Sequence, residues 1–121
     1  MVFWCMGLEV GARMDKLRAA VLGATGMVGQ RFVKLLSNHP KFELEVLAAS
    51  SKSAGKRYAE VVHWCIEGEV PEQAANMRVV EARLEDVMRE GGVDLVFSAL
   101  TSEVAREVEA EFAREGIPVI S

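Results

Sequence analysis

The sequence predicts an α/β chain built as a doubly wound parallel sheet with strand order 3-2-1-4-5. Three observations predict it. An apolar run from Arg18 to Leu22 passes directly into a segment carrying glycine at every third position, Gly23, Gly26 and Gly29. Further apolar stretches at 42–49, 77–81 and 94–100 follow, separated by helical or polar segments. The resulting succession of strand, helix, strand, connection, strand, helix, strand, helix, strand has one economical solution, with right-handed crossovers and helices on both faces.

The glycine segment organises the rest. Arg18 to Leu22 reads as a buried strand. After it, Val28, Phe32, Leu35 and Leu36 fall at i, i+4, i+7 and i+8, one face of an amphipathic helix. Gly23 permits the tight turn between them, Gly26 lets a ligand approach the backbone with no Cβ in the way, and Gly29 lets the helix pack close to the strand. The free N–H groups of Thr25, Gly26, Met27 and Val28 at the helix start then converge on one spot, a site suited to a pyrophosphate. The alternative is a plain strand–helix turn, but a second strand downstream supplies the context in which such a triplet binds a dinucleotide. The spacing is GxxGxxG rather than GxGxxG, a loop that short-chain reductases and their relatives also use.

Asn38-His39-Pro40 stops this helix, and Phe42 to Ala49 is apolar on both faces, as a central parallel strand should be. The polar loop Ser50 to Arg57 follows, with Ser50, Ser51 and Ser53 and the cations Lys52, Lys56 and Arg57. A site preferring NAD places a carboxylate at the end of this strand for the ribose 2′-hydroxyl. None is present, and small hydroxyls with nearby positive charge suit a 2′-phosphate, so the expected cofactor is NADP; the alternative is a solvated loop. Residues 58–66 are irregular. Cys65 lies near His63, but two ligands cannot close a zinc site and no helix start presents the thiol, so a buried or partly buried structural cysteine is expected, with neither metal site nor nucleophile.

A polar connection at 67–76 contains Pro71; a short third strand at 77–81 and a short helix from Leu84 to Arg89 lead to Gly91-Gly92. The fourth strand, Asp94 to Leu100, ends in Ser98, Ala99 and Leu100, expected to face the glycine loop across the crevice. Thr101 or Ser102 is expected to cap a strong helix with Val104, Val108 and Phe112 on its buried face, Glu103 in its first turn and Arg114 in its last.

At 121 residues, half of them hydrophobic and 26% charged, the chain suits one soluble domain. A net charge of −4 gives no electrostatic reason to expect nucleic acid or an anionic membrane as partner, and two distant cysteines fit a reducing cytoplasm. Residues 1–13 read as an extension outside the fold, with an NAD(P)-binding Rossmann domain at 14–121 that is cut short in its fifth strand after Ile117-Pro118-Val119-Ile120.

Ala20 to Phe32, Ala48 to Lys56 and Val96 to Leu100 together resemble the amino-terminal signature of the aspartate-semialdehyde dehydrogenases, and the serine loop before Ala54-Gly55-Lys56 is similar to that of the archaeal and fungal branch. The resemblance runs over residues 16–121. It implies an oxidoreductase that reduces L-aspartyl 4-phosphate to L-aspartate 4-semialdehyde with NADPH and releases phosphate, in lysine, methionine and threonine biosynthesis, as a homo-oligomer. It implies that the backbone of Thr25 to Val28 holds the pyrophosphate, that Ser50, Ser51 and Ser53 surround the 2′-phosphate, and that Ser98 to Leu100 line the cofactor crevice. The family's nucleophilic cysteine, its histidine and its substrate and dimerisation domain are expected beyond Ser121. Cys65 does not occupy the nucleophile's place, so the chain alone is expected to be inactive and marginally stable. Related acyl-phosphate or acyl-CoA reductases of the N-acetylglutamyl-phosphate or malonyl-CoA type share the loop, as do short-chain reductases. A non-catalytic NADP-binding module is the alternative from another class.

Overall fold

The computed structural model describes residues 16–121; the extension assigned to residues 1–13 lies outside them, as do the side chains of Ser102 and Val104. Five strands, β1 (Leu17–Leu22), β2 (Phe42–Ala49), β3 (Val79–Glu81), β4 (Leu95–Ser98) and β5 (Val119–Ile120), form one sheet in the order β3-β2-β1-β4-β5. Every neighbouring pair is parallel. The helices are α1 (Met27–Leu36), α2 (Tyr58–Val61), α3 (Glu72–Ala75), α4 (Leu84–Arg89) and α5 (Ser102–Arg114).

The strands sort their side chains onto two cores. On one face Ala19 and Val21 pack with Leu44, Leu47 and Phe97 against Val33 and Leu36 of α1. On the other, Ala20, Leu22, Val46 and Val96 pack against Val87, Val108, Phe112 and Ile117. Leu44 and Val46 are two residues apart and would share a face in a regular strand. They face opposite cores because the β1–β2 register shifts between Ala19 and Ala20, where the partner jumps from Leu44 to Val46 past Glu45. Burial on both faces is why these central strands read as unbroken apolar runs.

Several expectations are corrected. The buried face of α1 is Gly29, Gln30, Val33 and Leu36, while Val28 and Leu35 are each 61% exposed. Gly29 sets this rotation. A Cβ there would stand 1.9 Å from the Gly23 carbonyl oxygen, so the helix must turn its hydrogen side toward the loop, which swings Val28 and Leu35 outward. Phe32 is half-buried, its ring 5.3 Å from that of Phe97. The third strand starts later than expected and the fourth is shorter at both ends; beyond them the Met77 carbonyl accepts the Tyr58 N–H at 2.9 Å and the Ala99 N–H donates to the Leu22 carbonyl at 2.8 Å. The connection at 67–76 contains α3, started by Pro71 with its φ of −55°. Thr101 occupies the N-cap of α5 in extended backbone, but its side chain makes no capping bond. Val108 and Phe112 of that helix are buried as expected.

Candidate functional site

All strands run in one direction, so their carboxyl ends share one edge of the sheet. Between β1 and β4 the chain leaves in opposite directions, to α1 on one face and α5 on the other, and a crevice opens there. A cavity of about 640 Å³ occupies it. The turn from β1 into α1 forms one wall with Gly23, Thr25, Gly26, Met27 and Val28. Ala99, Leu100 and Thr101, just beyond β4, form the opposite wall. Ser50 and Ser51 beyond β2, with Glu81 and Arg83 beyond β3, make the far rim.

The glycine turn has the geometry its sequence implies. Gly23 has φ +79°, in the left-handed region, and its backbone passes so near β4 that a Cβ would lie 3.1 Å from the Ala99 carbonyl carbon. The N–H groups of Gly23 and Ala24 both donate to the Ala48 carbonyl, at 2.9 and 3.0 Å, which pins the turn to β2. A Cβ on Gly26 would meet only the Gly23 oxygen, at 3.8 Å, and otherwise point into open space. One expected donor is not free: the Gly26 N–H is drawn back to the Gly23 carbonyl at 3.3 Å. The turn is tight enough to close on itself at that atom. Met27 and Val28, in the first turn of α1, have no carbonyl inside the helix to bond, so the anion-binding potential rests on them and on the helix dipole.

Two residues that the sequence did not single out hold this turn from behind. Tyr58 is fully buried and donates its hydroxyl to the Ala24 carbonyl at 2.6 Å. Burial holds its phenol well above the usual tyrosine range. Gln30, 2% exposed, donates Nε2 to the Thr25 and His63 carbonyls at 2.9 and 3.0 Å and accepts the Cys65 N–H on Oε1 at 2.7 Å. One amide therefore ties the turn to the 63–65 segment. Its position one residue after the third glycine was the available signal, hidden because periodicity put the helix face one position out.

Ser50, Ser51, Ala99 and Leu100 lie on the cavity wall. Ser53 does not; it is half-buried in the turn, its N–H donating to the Ser50 carbonyl at 3.0 Å. Ser98 is 4% exposed and donates its hydroxyl to Glu109 Oε2 at 2.6 Å, while accepting the Leu100 N–H at 3.4 Å. It shapes the wall from behind instead of lining it. Of the loop cations, none of Lys52, Lys56 and Arg57 reaches the cavity, and Arg57 pairs with Glu60 at 3.8 Å. Arg83 stands there in their place. Cys65 is exposed, contrary to expectation, because its N–H is held inward by Gln30 while its thiol turns out to the His63 carbonyl at 3.1 Å. Among the described residues there is no group of three or more His, Cys, Asp or Glu placed to hold a metal ion. No helix among them is long and apolar enough to cross a membrane.

An uncrowded glycine at a helix start, facing a second strand end across the switch point of a parallel sheet, is the site of a Rossmann-type dinucleotide-binding domain. The chain belongs to a specific family of these: residues 18–121 match the semialdehyde dehydrogenase, NAD binding domain family. It is 54% identical over 101 residues to an aspartate-semialdehyde dehydrogenase of Methanothermobacter thermautotrophicus, covering 84% of this chain and 28% of that protein. It is 50% identical over 103 residues to the enzyme of the same name from Saccharomyces cerevisiae, covering 85% of this chain and 27% of that one. The crystal structure of the Candida albicans aspartate-semialdehyde dehydrogenase with NADP superposes with a TM-score of 0.78 at 44% identity, covering 86% of this chain and 28% of that chain. The chain thus spans between a quarter and a third of the length of these relatives.

Proposed function

We propose that this chain is the NADP-binding part of an aspartate-semialdehyde dehydrogenase, an enzyme that reduces L-aspartyl 4-phosphate to the semialdehyde with release of phosphate. The observation that carries the reading is the pairing of the open Gly26 position with a far rim where Ser50 and Ser51 replace the carboxylate of an NAD site. NADPH supplies the hydride in such a reaction. The residues of this chain bind and orient it. The first-turn N–H groups of Met27 and Val28 face the pyrophosphate, Ser50 and Ser51 offer hydroxyls to the 2′-phosphate, and Ala99 and Leu100 wall the crevice against water. The substrate belongs to the same reading, by likeness to the named relatives, and assembly into a homo-oligomer is part of the proposal.

Calorimetric titration with NADP and NAD tests it. NADP is expected to bind more tightly, and equal affinities or a preference for NAD would sink the proposal. In Gly26→Val the backbone, at φ −81° and ψ 172°, accepts the new side chain without strain, and that side chain fills the cradle. The variant should keep its fold by circular dichroism and lose binding of both cofactors; unchanged affinity would show the loop to be a turn only.

A further inference from the structure

The 2′-phosphate expected at the far rim needs a positive charge, and the loop cations following Ser51 do not supply one, since Lys52, Lys56 and Arg57 all lie off the cavity wall. The rim also carries Glu81, the last residue of β3, whose neighbour across the sheet is Ala49 at the end of β2. A carboxylate so close to the serines would repel a dianionic phosphate unless a cation stood beside it.

Arg83 is that cation. Its backbone is fixed at the rim. The preceding Ala82 donates its N–H to the Ala49 carbonyl at 2.9 Å, Arg83 donates to the Glu81 carbonyl at 2.8 Å, and the Arg83 carbonyl accepts from Val87 at 3.0 Å, in the first turn of α4. The side chain is the opposite, 58% exposed, with a single long ion pair from one Nη to Glu85 at 3.5 Å. Such a pair between exposed groups holds its partners weakly. A guanidinium on an anchored backbone and a loosely held stem can turn to a phosphate and bond it with two parallel N–H groups.

We infer that Arg83 is the specificity-determining cation of this site, closing over an adenosine 2′-phosphate opposite Ser50 and Ser51 and offsetting the charge of Glu81. The assignment rests on the dinucleotide reading above. It makes Glu85 a competitor that holds the guanidinium in the absence of ligand.

The test uses two probes differing only in the group at issue, adenosine 2′,5′-bisphosphate and 5′-AMP, titrated calorimetrically into the full-length protein. The native protein should prefer the bisphosphate. Arg83→Met should weaken the bisphosphate about 10-fold or more, the worth of one charge-assisted pair, and leave 5′-AMP unchanged. The salt dependence of bisphosphate binding should become shallower in that variant. Arg83→Lys should recover part of the loss, and Glu85→Gln should tighten the bisphosphate about 2-fold. The side chain is exposed, so folding of these variants is expected to be native by circular dichroism. A protein that prefers the bisphosphate but is indifferent to Arg83→Met overturns this assignment alone, as does a variant that weakens both probes equally. A native protein that binds neither probe overturns the dinucleotide reading and the assignment with it.

Discussion

The two ends of the sheet are built from the same strands and use their polar groups in opposite ways. At the amino end they are paired within the chain. The Arg18 N–H donates to Asp94 Oδ2 at 2.7 Å, Asp94 returns its own N–H to the Arg18 carbonyl at 2.8 Å, and the Arg18 guanidinium approaches the same carboxylate at 3.5 Å. That guanidinium lies over Gly92, where a Cβ would stand 2.6 Å away. Lys16 faces Glu43 at 4.0 Å. At the carboxyl end the first-turn amides of α1, the hydroxyls of Ser50 and Ser51 and the weakly paired Arg83 all open on the cavity. One end closes β1 onto β4; the other leaves donors for a ligand. The difference teaches that the carboxyl end keeps donors open on the cavity while Tyr58 and Gln30 hold its glycine turn from behind.

The most severe way to break that end is to disturb the contact of α1 with the turn. Gly29→Ala puts a methyl group 1.9 Å from a backbone oxygen, 2.7 Å from the carbon bearing it and 2.8 Å from the Ala24 Cα. No flexible side chain is there to give way. The helix must shift off the sheet, at a cost of about 3 kcal/mol or more, a large share of the roughly 5–15 kcal/mol that holds a domain of this kind. Denaturant unfolding should show the loss, and cofactor binding should fall with it. A native midpoint would mean that α1 does not depend on Gly29.

Tyr58→Phe is gentler and more specific. It removes the donor from the Ala24 carbonyl while keeping the ring, so the expected loss is about 1–3 kcal/mol for a buried acceptor left unpaired. The same residue gives a pH signature. Its folded-state pKa is raised, so the stability it contributes is fully present below the unfolded value, about 10, and is lost as pH rises beyond it. The native protein should therefore lose stability above that pH faster than Tyr58→Phe. Parallel alkaline limbs would show that the phenol is not confined as described.

These supports also mark where the sequence stopped being legible. The strand order could be read because central parallel strands are apolar on both faces, and the turn because glycine is required by a positive φ at Gly23 and by contact at Gly29. The phase of α1 could not, because the contact that fixes it involves a residue with no side chain, which hydrophobic periodicity does not count. Gln30 was lost with that phase. Tyr58 acts over 34 positions along the chain, and Arg83 comes to the same cavity rim as Ser50 and Ser51 only through the pairing of β2 with β3. Neither the Tyr58 bond nor the placing of Arg83 on the same rim as the serines is written in local spacing. Ser98 looked like a lining residue because it ends its strand, but strand residues alternate, and its alternate points into α5 toward Glu109.

The far rim should respond to a single exposed side chain without loss of fold. Ser50→Asp restores a carboxylate at the end of β2, where it can accept from a ribose 2′-hydroxyl and repel a 2′-phosphate. The ratio of NADP to NAD affinity is expected to fall by a factor on the order of 10, one charge-assisted contact's worth. Calorimetry with both cofactors reads it, and an unchanged ratio would move the 2′ position away from Ser50.

The smallest effect belongs to the amino end and sharpens the contrast. The Asp94 carboxyl is held below its usual range first by the Arg18 backbone N–H, then by the Arg18 side chain, which together outweigh the partial burial that raises it. A depressed folded-state pKa contributes stability above the unfolded value, about 3.9, and that contribution disappears as pH falls from there through the lower folded value. At neutral pH it is fully present. Its size is limited because the two side chains are 37% and 49% exposed, so Asp94→Asn should cost no more than about 1 kcal/mol. The variant should also show a flatter loss of stability between pH 4 and lower values, roughly the window below the unfolded carboxyl's titration. Cofactor affinity at neutral pH should not change, since Asp94 touches β1 at the end away from the cavity. A weakened NADP titration in a stably folded Asp94→Asn would show that the register of β1 against β4 carries strain from one end to the other, and that the division between a closed end and an open one does not hold.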